Sequence, residues 1–221
     1  MKLTFLSDTH LFHKDYLSKQ ILTDYLTGGP ILVHAGDMSG RGTISEIIEF
    51  LDWFSLLPYT HKILIAGNHD FLFEVNPKMA KDVLDNYPGI TYLNDSGVTI
   101  EGIKFWGSPV TPYFHNWAFN RHFPDIGYHW AQIPKDTDVL ITHGPAKGIL
   151  DKTHYGGIHT GCPILFEKIR EIKPKIHVFG HIHEVRGTMQ VGETLHINAS
   201  CLDLNYALVD KPPFEYNWYN N

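Results

Sequence analysis

Five short clusters of carboxylate, imidazole and carboxamide side chains punctuate the 221-residue sequence: Asp8 with His10, Asp37, Asn68 with His69 and Asp70, His143, and His181 with His183. Each alone is the sort of residue that a hydrogen-bonded loop carries. Together they form a nitrogen and oxygen donor set without thiolate, which suits a pair of borderline divalent ions and speaks against a structural zinc. Histidine is the commonest protein ligand for metals, and the chain has 15. The two cysteines, Cys162 and Cys201, are far apart and form no C-x-x-C pair, so they read as reduced, buried thiols.

All five clusters follow short apolar runs: Lys2–Leu6, Ile31–Ala35, Lys62–Ala66, Asp138–Ile141 and Lys175–Phe179. Runs of this length that end in Gly and polar residues read as buried strands. In open α/β sheets ligands gather beyond the carboxyl ends of strands. The second run stops at Gly36-Asp37 and a glycine-rich turn, which makes Asp37 the candidate carboxylate to bridge two metal ions. Between the strands lie helical patterns. Tyr16–Leu26 has an apolar face of Leu17, Ile21, Leu22, Tyr25 and Leu26; Thr43 with Glu46 opens a second helix as a capping box; Asn76-Pro77 starts a third, running to about Tyr87; and Pro163–Ile172 forms a fourth. Hairpins are predicted at Gly97–Trp106, turning at Glu101-Gly102, and at Thr188–Asn198, turning at Gly192-Glu193. The first of these marks the point where the sheet stops being purely parallel. A last strand is expected at Tyr206–Val209, and Ser108–Trp130 is a long irregular segment rich in aromatic residues.

Size and composition point to one domain spanning residues 1–221. No N-terminal segment has a signal-peptide pattern, and no apolar run approaches the ~18 residues of a membrane span. A cytoplasmic protein is therefore expected, with no membrane partner and an unspecified oligomeric state. A net charge of -6 makes nucleic acid an unfavoured partner.

In their order, Asp8-x-His10, Gly36-Asp37, Gly67-Asn68-His69-Asp70, Thr142-His143-Gly144-Pro145 and Gly180-His181-x-His183 resemble the five motifs of the calcineurin-like metallophosphoesterase superfamily. The resemblance spans almost the whole chain. Gly107-Ser-Pro-Val-Thr-Pro112, Val178-Phe-Gly-His-Ile-His183 and Asn198-Ala-Ser200 further resemble the branch that contains the mammalian metallophosphoesterase-domain proteins. The likeness implies an α/β fold, a four-layer αββα sandwich with two mixed β-sheets. It also implies two divalent metal ions, manganese first, with iron, zinc or nickel compatible with the same donors. Position by position, Asp8, His10, Asp37 and His183 would hold one ion, and Asp37, Asn68, His143 and His181 the other. A shared carboxylate offsets the repulsion between two close cations. His69 would protonate the leaving oxygen. The implied reaction is hydrolysis of a small phosphodiester, a cyclic nucleotide being the leading candidate, by a hydroxide that bridges the ions. A phosphomonoesterase, a nuclease and a non-catalytic metal-binding scaffold are the alternatives.

Several roles stay open at this level. Asp70 either orients His69 or caps the following helix. The protein-phosphatase branch reads Gly-Asp-x-x-Asp-Arg-Gly at its second motif, whereas Gly40 stands here at the second Asp, so the acidic partner of the catalytic histidine is missing. Arg41 either touches a phosphate oxygen or faces solvent. Tyr113, Phe114 and Trp117 either wall a pocket and stack on a base or pack against the second sheet's edge. With Asn68, the residues Arg41, Tyr113 and Trp117 make up the expected substrate contacts.

Overall fold

The computed structural model describes residues 1–12, 22–154 and 156–220. Its elements are β1 (Lys2–Leu6), α1 (Leu22–Tyr25), β2 (Gly29–Ala35), α2 (Ile44–Leu56), β3 (Tyr59–Ile65), α3 (Phe71–Val75), α4 (Pro77–Leu84) and β4 (Ile90–Tyr92). There follow β5 (Ser96–Ile100), β6 (Ile103–Ser108), β7 (Thr111–Pro112), β8 (Asn120–Arg121), α5 (Ile126–Ala131), β9 (Val139–Thr142) and α6 (Pro163–Ile172). The chain ends with β10 (Ile176–Phe179), β11 (Gly187–Val191), β12 (Thr194–Asn198) and β13 (Phe214–Asn217).

Two mixed sheets stack between helices. The first has the order β13-β1-β2-β3-β4, parallel except for β13; the second has the order β11-β12-β10-β9-β6-β5, with antiparallel hairpins at both edges. Period-two alternation divides each strand between two apolar layers. Leu3, Phe5, Ile31, Val33, Ile63 and Ile65 of the first sheet meet Phe105, Val139, Ile141, Ile176 and Val178 of the second. The opposite face of the first sheet, through Leu6, Leu32 and Leu64, packs on Ile47, Phe50, Leu51 and Phe54 of α2. Leu140 and Phe179 turn outward from the second sheet onto Trp130 of α5 and Leu165 and Ile169 of α6. The result is the four-layer αββα sandwich. Because these central strands are covered on both faces, their sequences read as nearly unbroken apolar runs.

Local signals in the sequence hold in the fold. Thr43 and Glu46 form the reciprocal capping box of α2, and α6 has the predicted limits. The Glu101-Gly102 turn joins β5 to β6, both turn residues having positive φ, the backbone of a two-residue hairpin. This hairpin is the edge of a second sheet, not an antiparallel end to the first. Of the predicted helix Tyr16–Leu26, residues 16–21 lie outside the described residues, and Leu22–Tyr25 is helical. The expected strand Tyr206–Val209 is a correction: that stretch makes only a single bridge, Leu202 to Leu208, and Tyr206 has a φ of 58°. The strand lies further on, in the Pro-rich tail, where β13 pairs with β1. Among the described residues no helix is long and apolar enough to cross a membrane.

Candidate metal centre

The parallel direction of β1, β2 and β3 in one sheet and of β9 and β10 in the other brings their carboxyl ends to one edge of the sandwich. Backbone hydrogen bonds continue the pairing beyond the strands: Asp8 N–H donates to Gly36 O (2.9 Å), His10 N–H to Asp37 O (3.1 Å) and Gly180 N–H to His143 O (3.0 Å). His143 Nδ1 donates to Ala35 O at 3.0 Å, joining the two sheets at the site.

Asp37 is at the focus. Its Oδ2 is 3.3 Å from His143 Nε2, 3.6 Å from His10 Nε2 and 4.0 Å from His69 Nε2, while Oδ1 accepts the His69 N–H at 2.8 Å. Asp8 sits beside it, with Oδ1 3.4 Å from His183 Nε2. Ligand atoms of Asp8, His10 and His183 form one group within 4.8 Å of one another, and those of Asp37, His143 and His181 form another. A third such group, His10, Asp37 and His69, joins them. Asn68 Oδ1 lies 2.9 Å from His143 Nε2. All seven ligands expected from the sequence are thus brought to one place.

Four imidazoles share one arrangement. His10, His69, His143 and His183 each donate Nδ1–H to a backbone carbonyl, of Ser39 (3.0 Å), Gly40 (2.8 Å), Ala35 (3.0 Å) and Asp203 (3.1 Å) respectively. Metal-binding histidines are oriented in this way, the carbonyl fixing the tautomer and turning Nε2 to the ion. His10 Nε2 is buried and, among the described residues, has no hydrogen-bond partner, a costly condition unless a further group completes it. Two ligands each ~2.0–2.2 Å from a shared ion are themselves ~3.0–3.5 Å apart, close to the spacings found around Asp37. The donor set therefore fits divalent metal.

The backbone is strained at the same residues. Asp8, His10, Asp37 and His181 have φ of 54°, 40°, 55° and 70°, in the left-handed region that side chains other than Gly seldom enter. The motif glycines make room for them: a Cβ on Gly67 would lie 2.3 Å from Asp37 Oδ1, and one on Gly180 would lie 1.9 Å from Asp8 Oδ2.

Electrostatics follow from burial and proximity. Burial alone would raise the carboxyls of Asp8 and Asp37, but His183 beside Asp8 and His143 beside Asp37 hold both well below the usual range. Burial disfavours the charged forms of His143 and His183, yet these same carboxylates push each up to about 9. His181 is brought down to about 3 by burial and by the charge of His143. Burial and the charge of Asp37 push the Asp70 carboxyl up to about 6.

Asp70 is a second correction. Its oxygens accept Gly67 N–H (2.7 Å), Ser39 N–H (3.0 Å), Ser39 Oγ–H (2.6 Å) and Met38 N–H (3.3 Å), so it locks the loops after β2 and β3 together. It neither touches the His69 ring nor caps α3 with its side chain. Arg41 is exposed, and its backbone N–H donates to Glu46 Oε2 at 3.2 Å. Tyr113 stacks on His122 (4.1 Å), and Trp117 stacks on His69 itself (4.2 Å). Phe114 meets His181 edge-on at 5.0 Å.

Sequence reasoning missed two further neighbours of the site. Ser200 Oγ donates to Asp8 Oδ2 at 2.9 Å, and the ring of Tyr206 covers His10 (5.1 Å) and His183 (5.4 Å). For Ser200 a signal existed in Asn198-Ala-Ser200; for Tyr206 there was none beyond its aromatic type.

With this geometry in place, the relationships of the chain become interpretable. The profile of the calcineurin-like phosphoesterase family matches residues 1–185. The chain belongs to the calcineurin-like phosphoesterase family. Within that family it is similar to human metallophosphoesterase domain-containing protein 1, with 38% identity over 206 residues covering 83% of this chain and 63% of the human protein. A Caenorhabditis elegans UPF0046 protein is 36% identical over 214 residues, covering 90% of this chain and 74% of its own length. Among solved structures, TT1561 of Thermus thermophilus shares the fold, with a TM-score of 0.66 at 15% identity and 98% of each chain covered. The matched range contains all the converging donors of the structure.

Proposed function

We propose that the chain is a binuclear metal-dependent phosphodiesterase acting on small phosphodiesters. One observation carries the reading: buried and half-buried imidazoles, oriented by backbone carbonyls, turn Nε2 toward Asp37 and Asp8, and among the described residues His10 Nε2 is left unpaired. Asp8, His10, Asp37 and His183 would hold one ion and Asp37, Asn68, His143 and His181 the other, manganese being the first choice for this donor set. Divalent ions bound there supply Lewis acidity toward phosphoryl oxygens and lower the pKa of water.

The chain's own residues do the rest. His69, next to Asn68 and with Nδ1 committed to Gly40 O, offers Nε2 on the Asp37 side as the group that hands a proton to the leaving oxygen. Beside His181 lies a cavity of about 450 Å³ whose walls include Tyr113, Phe114, Pro145, Thr153 and Thr160. Among the described residues its lining has apolar and aromatic surface, three hydroxyls, of Tyr113, Thr153 and Thr160, and no lysine or arginine, which suits an uncharged, flat ester group such as a nucleobase and not a polyanion. The missing second Asp, replaced by Gly40, separates this site from the protein-phosphatase arrangement.

The test is a panel of 3′,5′-cyclic AMP, bis(p-nitrophenyl) phosphate and p-nitrophenyl phosphate, assayed with added Mn²⁺. Diester hydrolysis exceeding monoester hydrolysis is expected. Turnover of the monoester alone would assign a phosphomonoesterase, and no uptake of divalent metal by chelator-free protein would remove the enzyme reading altogether.

A further inference from the structure

We propose that Trp117 is the positioning residue of the His69 imidazole, and that its indole face serves the protein's own histidine instead of a substrate base. The inference rests on the reading of His69 as the proton donor to the leaving oxygen.

The hydrogen bond from His69 Nδ1 to Gly40 O, 2.8 Å long, fixes one ring atom and leaves the ring free to swing about that contact. Two flat surfaces remove this freedom. His10 meets the ring edge-on at 4.6 Å and 80°, and Trp117 lies against its face at 4.2 Å and 28°. A carboxylate partner would hold such an imidazole by charge and direction together. Gly40 offers a carbonyl only, so direction must be completed by packing.

The placement of Trp117 is itself determined. Ala118 N–H donates to Asn68 O at 3.1 Å, so the residue after Trp117 is tied to the residue before His69. On its far side the loop is anchored to α3: Glu74 accepts Phe119 N–H at 2.6 Å and pairs with Arg121 at 2.7 Å. Phe71, at the start of α3, supports the indole at 6.0 Å. The aromatic segment that looked irregular in sequence is thereby a brace whose tip rests on the imidazole. An indole occupied in this way does not offer that face to a nucleobase. In the step it serves, the oxygen of water bonds to phosphorus as the bond between phosphorus and the leaving oxygen breaks; the electron pair stays on that oxygen, and the His69 imidazolium, protonated at both nitrogens, gives it the Nε2 proton and is left as the Nδ1–H tautomer.

The experiment compares W117A, W117L, W117F and H69A with the wild type on two esters. Cyclic AMP expels an alkoxide that needs a proton, whereas bis(p-nitrophenyl) phosphate expels a phenolate that does not. Loss of ring alignment in W117A and W117L is expected to lower kcat on cyclic AMP by about 10²-fold, the cost of a misplaced catalytic group. KM should stay near its wild-type value, and the loss on the aryl ester should be much smaller. H69A should show the same split, W117F should restore it, and W117A combined with H69A should be no slower than H69A. Two-bond ¹H–¹⁵N spectra of metal-free protein at alkaline pH provide a readout independent of turnover: His69 should be the Nδ1–H tautomer in wild type and W117F and a mixture in W117A and W117L. A raised KM on both esters with kcat retained, additive losses in the double variant, or an unchanged His69 spectrum in W117A and W117L would overturn the proposal. If wild type turns over neither ester, the proton-donor reading fails, and the spectra alone decide the positioning.

Discussion

Near the middle of the second sheet, His177 on β10 and His196 on β12 face each other from paired strands; at the edge shared by both sheets, His10, His69, His143, His181 and His183 face Asp8 and Asp37. Both groups are histidine clusters with buried members, and a count of histidines alone would not separate them. Their hydrogen bonds do. Thr142 Oγ–H is committed to Gly144 O (2.7 Å), so that oxygen accepts from His177 Nε2 (2.8 Å), and His177 Nδ1 in turn accepts from His196 Nδ1–H (3.0 Å). No carboxylate takes part in this chain of hydrogen bonds. Burial keeps both rings neutral, His177 well below its ordinary pKa and His196 at about 4. His34 is similar: Nδ1 accepts Gly36 N–H (3.2 Å) and Nε2 donates to Thr9 Oγ1 (3.0 Å). At the edge, by contrast, His10 Nε2 is left unpaired among the described residues, carboxylates converge, and the backbone is strained. His177 and His34 spend both ring nitrogens on neutral groups of the protein, whereas His10 spends Nδ1 on a carbonyl and, among the described residues, keeps Nε2 free beside the Asp37 carboxylate.

This contrast can be broken by substitution, and the largest effect belongs to His69→Ala. Metal content should match wild type, while turnover of an alkyl diester falls by ~10²–10⁴-fold; loss of metal in that variant would make His69 a ligand instead. Next comes Ser200→Ala, which removes the hydroxyl on Asp8. Partners of this kind are worth ~10–100-fold in metal affinity or activity, to be read by titration with Mn²⁺. His196→Leu is expected to leave metal content and turnover at wild-type values. It strands the His177 Nδ1 acceptor, so urea unfolding should show a loss of ~1–3 kcal/mol. A fall in metal content in this variant would erase the distinction between the clusters.

The smallest effects are those of pH, and they differ in sign between the two regions. His177 and His196 are depressed in the fold, so between pH 6.5 and about 4 the unfolded chain binds more protons, and stability is lost as pH falls through that window. His196→Leu should flatten this slope. His143 and His183 are raised to about 9 in the metal-free protein, so their contribution is complete below pH 6.5 and is lost as pH rises to about 9. Over that same rise, protons leave the ligands and metal affinity should increase. Unfolding of metal-free protein and Mn²⁺ titration, each measured from pH 6.5 to 9, should therefore move in opposite directions.

Much of this was legible in the residues because it is local. Apolar runs ending in Gly and ligand-type side chains gave the strand ends, Thr43 with Glu46 gave the start of α2, and Glu101-Gly102 gave a hairpin turn. What remained hidden depends on contacts distant in sequence. β13 forms in a Pro-rich tail because β1 presents an unpaired edge, with Leu3 opposite Tyr216 and Phe5 opposite Phe214. Tyr206–Val209 has a strand-like composition, but it is held as a loop that lays Tyr206 over His10 and His183. Asp70 follows His69 directly and therefore looks like its partner. Adjacent side chains diverge, and its carboxylate finds the N–H groups of Gly67, Met38 and Ser39. No spacing rule reveals that Trp117 rests on His69, far earlier in the chain, since that follows from Ala118 bonding to Asn68.

The central claim is that Asp37 is shared by two ions, and metal stoichiometry of the Asp37→Asn variant tests it most directly. Protein prepared without chelator and reconstituted with Mn²⁺ should bind two ions per chain in wild type, and Asp37→Asn should weaken both together because His10 and His143 each approach the same Oδ2. Two tightly held ions with full activity in Asp37→Asn, or no bound metal in wild type, would contradict the account.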